Sequence, residues 1–111
     1  MRAETEGSVR PLPFGVDLAA YRIVQEALTN VARHAGPATA TVRVSYREDD
    51  VTVQVDDDGG GRPGATQPPA SGNGIPGMAE RVAALGGQLD VGPRPEGGFR
   101  VRARFPLDGA G

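Results

Sequence analysis

The sequence predicts an α+β domain, a two-layer sandwich in which helices cover one face of a mixed, mostly antiparallel sheet. Three observations carry this reading. Leu18 to about Ala35 reads as one long helix. Ala40, Val42, Val44, Tyr46 and then Val51, Val53, Val55 alternate with polar residues, the period of a half-buried strand. Ile75, Met78, Val82 and Leu85 return to helical spacing before two further alternating segments. A chain of 111 residues can build one core but not two, so residues 1–111 are read as a single domain. Its 17 glycines and 10 prolines approach the content of a disordered chain, yet they gather at 59–77 and 93–98, between the periodic segments.

Residues 1–7 read as a loose terminus, and Ser8–Phe14 ("SVRPLPF") as a short edge strand, because its prolines bar it from the middle of a sheet. Asp17 is the expected cap of the long helix, and "AGP" at 35–37 its end. The segments on either side of "EDD" at 48–50 then form an antiparallel hairpin with one buried face. Side-chain parity extends the inward set Val51, Val53, Val55 to Asp57 and turns Asp56 and Asp58 the other way. The Gly- and Pro-rich stretch from Gly59 to about Gly74 is longer than most connections in compact domains, which marks it as functional or mobile. Gly86 and Gly87 stop the second helix. "QLDVG" and "FRVRARF" are the last two strands, joined by the turn "PRPEGG".

Composition removes several classes of function. A formal net charge of -2 leaves no basic footprint for nucleic acid. With no cysteine there is no disulfide, thiolate metal site or cysteine nucleophile. All 12 basic residues are arginine, which excludes lysine-dependent chemistry, a phosphate-loop lysine included. The polar start lacks a signal-peptide core, and no stretch approaches the roughly 18 apolar residues of a membrane span. The reading is a cytoplasmic domain with no membrane contact of its own.

Three places could carry chemistry. On the long helix Glu26, Asn30 and His34 share a face at i, i+4 and i+8. A solvated polar face is the commoner meaning of such a row, but a carboxylate and an amide oxygen one turn apart suit Mg²⁺, which completes its octahedron with phosphate and water. In "VDDDGGG", Asp57 inherits a buried position, where a carboxylate needs a hydrogen-bond donor. The exocyclic amine of an adenine is one candidate, with Gly59 and Gly61 letting the backbone approach a flat base; a plain acidic turn fits the stretch equally well. In "GNGIPGM", from Gly72 to Met78, a glycine loop enters a helix whose unpaired amides attract phosphate, although a flexible linker is the default meaning of so short a motif. The stripe Arg100, Arg102, Arg104 reads as a solvated sheet face.

In order and spacing these pieces resemble the ATP-binding domain of bacterial two-component sensor histidine kinases, within the gyrase, heat-shock-90, histidine-kinase and MutL ATPase superfamily. "YRIVQEALTNVARHA" is similar to the family's N box, "VDDDGGG" to its first glycine box and "GNGIPGMAERVAALGG" to its second. The tail "LGGQLDVGPRPEGGFRVRARFPL" also matches, and the wording is nearest the subfamily paired with helix-turn-helix response regulators.

The resemblance implies a Bergerat-type fold that binds Mg·ATP. Asn30 would coordinate the metal, with Glu26 beside it orienting water or metal. Arg33 and His34 would lie near the phosphates. Asp57 would accept from the adenine amine in a pocket shaped by Gly59 and Gly61. Residues 62–73 would be the ATP lid, and Gly72, Gly74, Ile75, Gly77 and Met78 would complete the nucleotide site. It further implies a protein-histidine kinase whose phosphoacceptor histidine sits on a separate dimerising hairpin of the parent, outside these 111 residues, with a response regulator downstream. Arg33 stands where lysine is frequent and Asn73 where histidine is common. A stand-alone serine kinase of the anti-sigma-factor type and a non-catalytic nucleotide-binding module are the alternatives.

Overall fold

The computed structural model describes residues 2–30, 40–58, 74–95 and 97–107. Five strands and two helices follow one another as β1 (Arg2–Glu6), α1 (Phe14–Asn30), β2 (Ala40–Tyr46), β3 (Asp50–Asp57), α2 (Gly74–Ala84), β4 (Gln88–Pro93) and β5 (Phe99–Pro106). The strands form one sheet in the order β1-β2-β3-β5-β4, antiparallel except for the parallel β1–β2 pair. Both helices pack on the same face, α1 against β3 and β5 and α2 against β4 and β5. The α+β two-layer arrangement is therefore the one the sequence predicts.

The core lies between the layers. β3 contributes Val51, Val53 and Val55, and β5 contributes Val101, Ala103 and Phe105, because these central strands turn every second residue toward the helices. From above, α1 inserts Val16, Ala19, Ile23 and Ala27, spaced at three or four residues along one face, and α2 adds Met78 and Val82. The second helix ends in a Schellman motif. Gly86, at φ 76°, donates to the Ala83 carbonyl at 3.0 Å, and Gly87 donates to the Val82 carbonyl at 2.9 Å.

The N-terminal region differs from the sequence reading in two ways. Residues 2–6, expected as a loose end, form the edge strand β1, and Ser8–Phe14 contains no strand. The pairing of β1 depends on polar partners across the strand: Arg43 donates to Glu4 from Nε at 3.1 Å and from Nη2 at 2.8 Å, and the Ser45 hydroxyl donates to Glu6 at 3.0 Å. "RAETE" has no apolar alternation, so periodicity could not reveal it. The second difference is at the start of α1. Asp17 does not cap it; the helix begins at Phe14, and the Asp17 N–H donates to the Pro13 carbonyl at 2.9 Å. A proline before the first turn loses nothing by lacking an N–H there, and Asp17 inside that turn opposes the positive end of the helix.

Candidate functional site

The packing of the helices decides which residues can meet. The chain leaving α2 sits at one end of the sandwich: Gly86 lies beside the Pro106 ring and Gly87 against the Arg104 main chain, while Pro106 pairs with Asp50. The first turn of α1 is at this same end, with Gly15 against Leu85 and Arg10 Nη2 donating to the carbonyls of Arg47 and Glu48 at 2.7 and 2.9 Å. Going away from it, Arg22 and Glu26 of α1 share a cleft with Arg81 and Gly77 of α2, so the helices run antiparallel. The last described residue of α1, Asn30, and the first of α2, Gly74, therefore lie toward the other end. That is also where β3 finishes at Asp57, paired with Ala40, and where Arg100 of β5 faces Asp56.

Asp57 is only 4 % exposed, the one buried carboxylate among the described residues. Its neighbours behave as strand parity requires. Asp56 lies on the outer face in an ion pair with Arg100, and Asp58 is exposed. The Asp57 main chain is held from the β4–β5 turn, where Arg94 Nη1 donates to its carbonyl at 2.7 Å. Gly98, at φ 87°, packs directly on that carbonyl and leaves no room for a Cβ.

Glu26 is half-buried and lines a cleft of about 190 Å³ between the helices with Arg22, Ile23, Gln25, Gly77, Met78 and Arg81. The cleft thus joins three residues singled out in the sequence: Glu26, Gly77 and Met78. Met78 has a second role, since it is buried in the core. Asn30 is the last described residue of α1, one turn beyond Glu26, and Gly74 and Ile75 are the first described residues of α2; the expected helix end at 35–37 lies outside the described residues. Arg33, His34, Gly59, Gly61, Gly72 and the lid at 62–73 lie outside the described residues.

Sequence reasoning missed Arg94 and Gly98, which it read only as parts of a turn, and the arginines of the cleft, Arg22 and Arg81. The glycine pair at 97 and 98 was the available signal, since two consecutive glycines suit positive φ; both have it, at 106° and 87°.

Comparison with known proteins supplies the family. A model described as histidine kinase-, DNA gyrase B-, and HSP90-like ATPase matches residues 15–109. The chain belongs to this ATPase family. Among curated members, the sensor histidine kinase LnrJ of Bacillus subtilis is 35% identical over 96 residues, covering 86% of this chain and 23% of the relative. The sensor histidine kinase NarS of Mycobacterium tuberculosis is 38% identical over 100 residues, with 87% and 23% covered. The chain therefore spans about a quarter of the length of these relatives.

Solved structures of the family agree in fold. The histidine kinase domain from the Erythrobacter litoralis EL346 blue-light activated histidine kinase superposes with a TM-score of 0.68 at 26% identity, over 96% of this chain and 51% of that one. The ATP binding domain of PrrB from Mycobacterium tuberculosis gives 0.62 at 26% identity, over 96% and 80%. The ATPase domain of this chain is thus homologous to those of sensor histidine kinases.

Proposed function

We propose that this ATPase domain binds Mg·ATP as the catalytic part of a sensor histidine kinase and donates the γ-phosphoryl group to a histidine on a separate helical hairpin of its parent. A response regulator then receives the group from that histidine. The observation that carries this reading is the buried Asp57 carboxylate, which lies at the end of the sandwich shared with Asn30 and Gly74. A carboxylate at a strand terminus offers a fixed acceptor to a nucleobase amine, and an acceptor there favours adenine over bases that present a carbonyl instead.

The remaining groups divide the nucleotide between them. Gly74 opens α2, whose first amides have no partner within the helix and suit the polyphosphate. Mg²⁺ would be held by Asn30, with Glu26 one turn away; a carboxylate and an amide oxygen are the hard donors it requires. When bound, it neutralises charge building on the phosphate oxygens. Arg33, His34, Gly59, Gly61, Gly72, Ile75, Gly77 and Met78 are the further contacts of this reading. In the transfer itself the bond from the γ-phosphorus to the bridging oxygen breaks, ADP keeps the electron pair, and a P–N bond forms as the acceptor imidazole releases its proton. The protein's part is alignment and charge compensation, with no covalent intermediate on this domain.

Calorimetric titration of the chain with Mg·ADP tests the nucleotide site. Asp57→Asn, which nearly preserves shape, is expected to weaken binding by about tenfold or more through loss of a charge-assisted bond. Unchanged affinity would remove Asp57 from the site. Transfer of ³²P from ATP to an added histidine-bearing hairpin of the parent kinase tests the catalytic assignment; labelling of a serine substrate instead would redirect it.

A further inference from the structure

Beyond the residues the family reading assigns, we propose that Arg94 is a positioning residue for the adenine end of the site, acting through the Asp57 main chain; this rests on Asp57 being the adenine acceptor. The β3–β5 ladder runs from Asp50↔Pro106 to Asp56↔Arg100 and stops there. Asp57 is therefore the first residue of β3 beyond the ladder, although it still pairs with Ala40 of β2. Its carbonyl faces the β4–β5 turn and is bonded there by a side chain, Arg94 Nη1 at 2.7 Å.

The turn is built to present that donor. The Arg94 N–H donates to the Gly98 carbonyl and the Gly97 N–H donates to the Arg94 carbonyl, each at 3.0 Å, so Arg94 and Gly98 are fixed with respect to one another. Gly98 is buried, and at φ 87° its bare Cα comes close enough to Asp57 that any side chain would strike the carbonyl. The same peptide is thus gripped by a guanidinium and backed by a glycine. Because a carboxylate is carried on the Cα that adjoins this peptide, rotating the peptide swings the carboxylate away from a bound base. Recognition of a flat base by one hydrogen bond tolerates displacements of only about 0.5 Å.

This makes Arg94 a determinant of base selectivity as well as of affinity. The test is calorimetry on the 111-residue chain with ADP and with inosine diphosphate, whose base carries a carbonyl in place of the amine. The wild-type chain is expected to prefer ADP. Arg94→Met, which keeps an unbranched stem and removes the donor, should weaken ADP binding about tenfold, leave inosine diphosphate unchanged and so collapse the ratio. Arg94→Lys retains a donor and should keep the ratio within about threefold of wild type. A ratio unchanged in Arg94→Met, an equal loss for both nucleotides, or a lysine variant no better than methionine would overturn the proposal while leaving Asp57 as the acceptor. A wild-type chain that binds both nucleotides equally would overturn the Asp57 reading itself, and this inference with it.

Discussion

Arg100 grips Asp56 at two points, Nε to Oδ1 at 2.8 Å and Nη2 to Oδ2 at 3.3 Å, one residue before the chain turns Asp57 to the opposite, buried face. Gln54 adds a third bond to the same carboxylate at 2.9 Å. Adjacent aspartates are thereby given different surroundings: one is paired on an open sheet face, the other is enclosed at the end of the core. The difference follows from the two-residue repeat of a strand.

Asp56→Ala and Asp57→Asn should therefore separate stability from binding. The Arg100 side chain is 41 % exposed, so solvent screens the pair, and Asp56→Ala is expected to cost about 0.5–1 kcal/mol in urea unfolding. Its ADP affinity should match that of wild type, whereas Asp57→Asn should lose affinity. Calorimetry on both variants, set beside their unfolding midpoints, checks the assignment.

The two glycines of the β4–β5 turn offer a matched comparison. Both have positive φ, but a Cβ on Gly97 would meet open space, while one on Gly98 would strike the Asp57 main chain. Gly97→Ala carries backbone strain alone, of about 1 kcal/mol. Gly98→Ala adds a steric clash, should cost about 1–3 kcal/mol more, and should also lower ADP affinity. Denaturant unfolding of the two variants measures the difference, and equal costs would contradict the described packing.

The inward face of α1 can be tested in the same way. Ile23 is fully buried between the layers, and Ile23→Ala should cost about 2–5 kcal/mol, a large fraction of the stability of a small domain. Tyr21, 64 % exposed two residues earlier, should tolerate alanine within about 0.5 kcal/mol. Reversal of this order in thermal or urea melts would mean that the helix is rotated.

Acid should loosen the N-terminal strand first. The hydrogen bonds from Arg43, and then its charge, hold the Glu4 carboxyl below the usual glutamate range, and Glu4 in turn raises Arg43. A carboxyl whose folded pKa is depressed stabilises the fold fully above its unfolded pKa. That contribution is lost as pH falls through the lower folded value. Amide exchange in Arg2–Glu6 should therefore accelerate relative to β3 as pH drops below the ordinary glutamate range, after correction for intrinsic rates. Arg43→Ala should produce the same loosening at neutral pH.

Much of the fold was legible because most of the elements bury one face. The alternation through Val51, Val53 and Val55 identified β3 and also singled out Asp57, since parity continues past the last valine. The spacing of Ile75, Met78, Val82 and Leu85 identified α2, and the glycines at 86 and 87 its end. β1 was not legible, because an edge strand held by Glu4–Arg43 and Glu6–Ser45 carries no hydrophobic pattern. The start of α1 was misjudged because Asp17 is a good cap by type, while Pro13 filled that place through its carbonyl, a group that every residue possesses.

By itself, the sequence determined the order of elements, the inward aspartate and the family motifs, because these depend on residue type and spacing along the chain. Tertiary structure alone decided that α1 and α2 lie antiparallel, bringing Glu26 and Gly77 to one cleft and directing Asn30 and Gly74 toward the end that holds Asp57. It also decided that a turn 37 residues away in sequence holds the Asp57 carbonyl through Arg94. A hydrogen bond to a main-chain carbonyl selects no particular residue type at the acceptor, so such a contact leaves no mark in the sequence until the chain is folded.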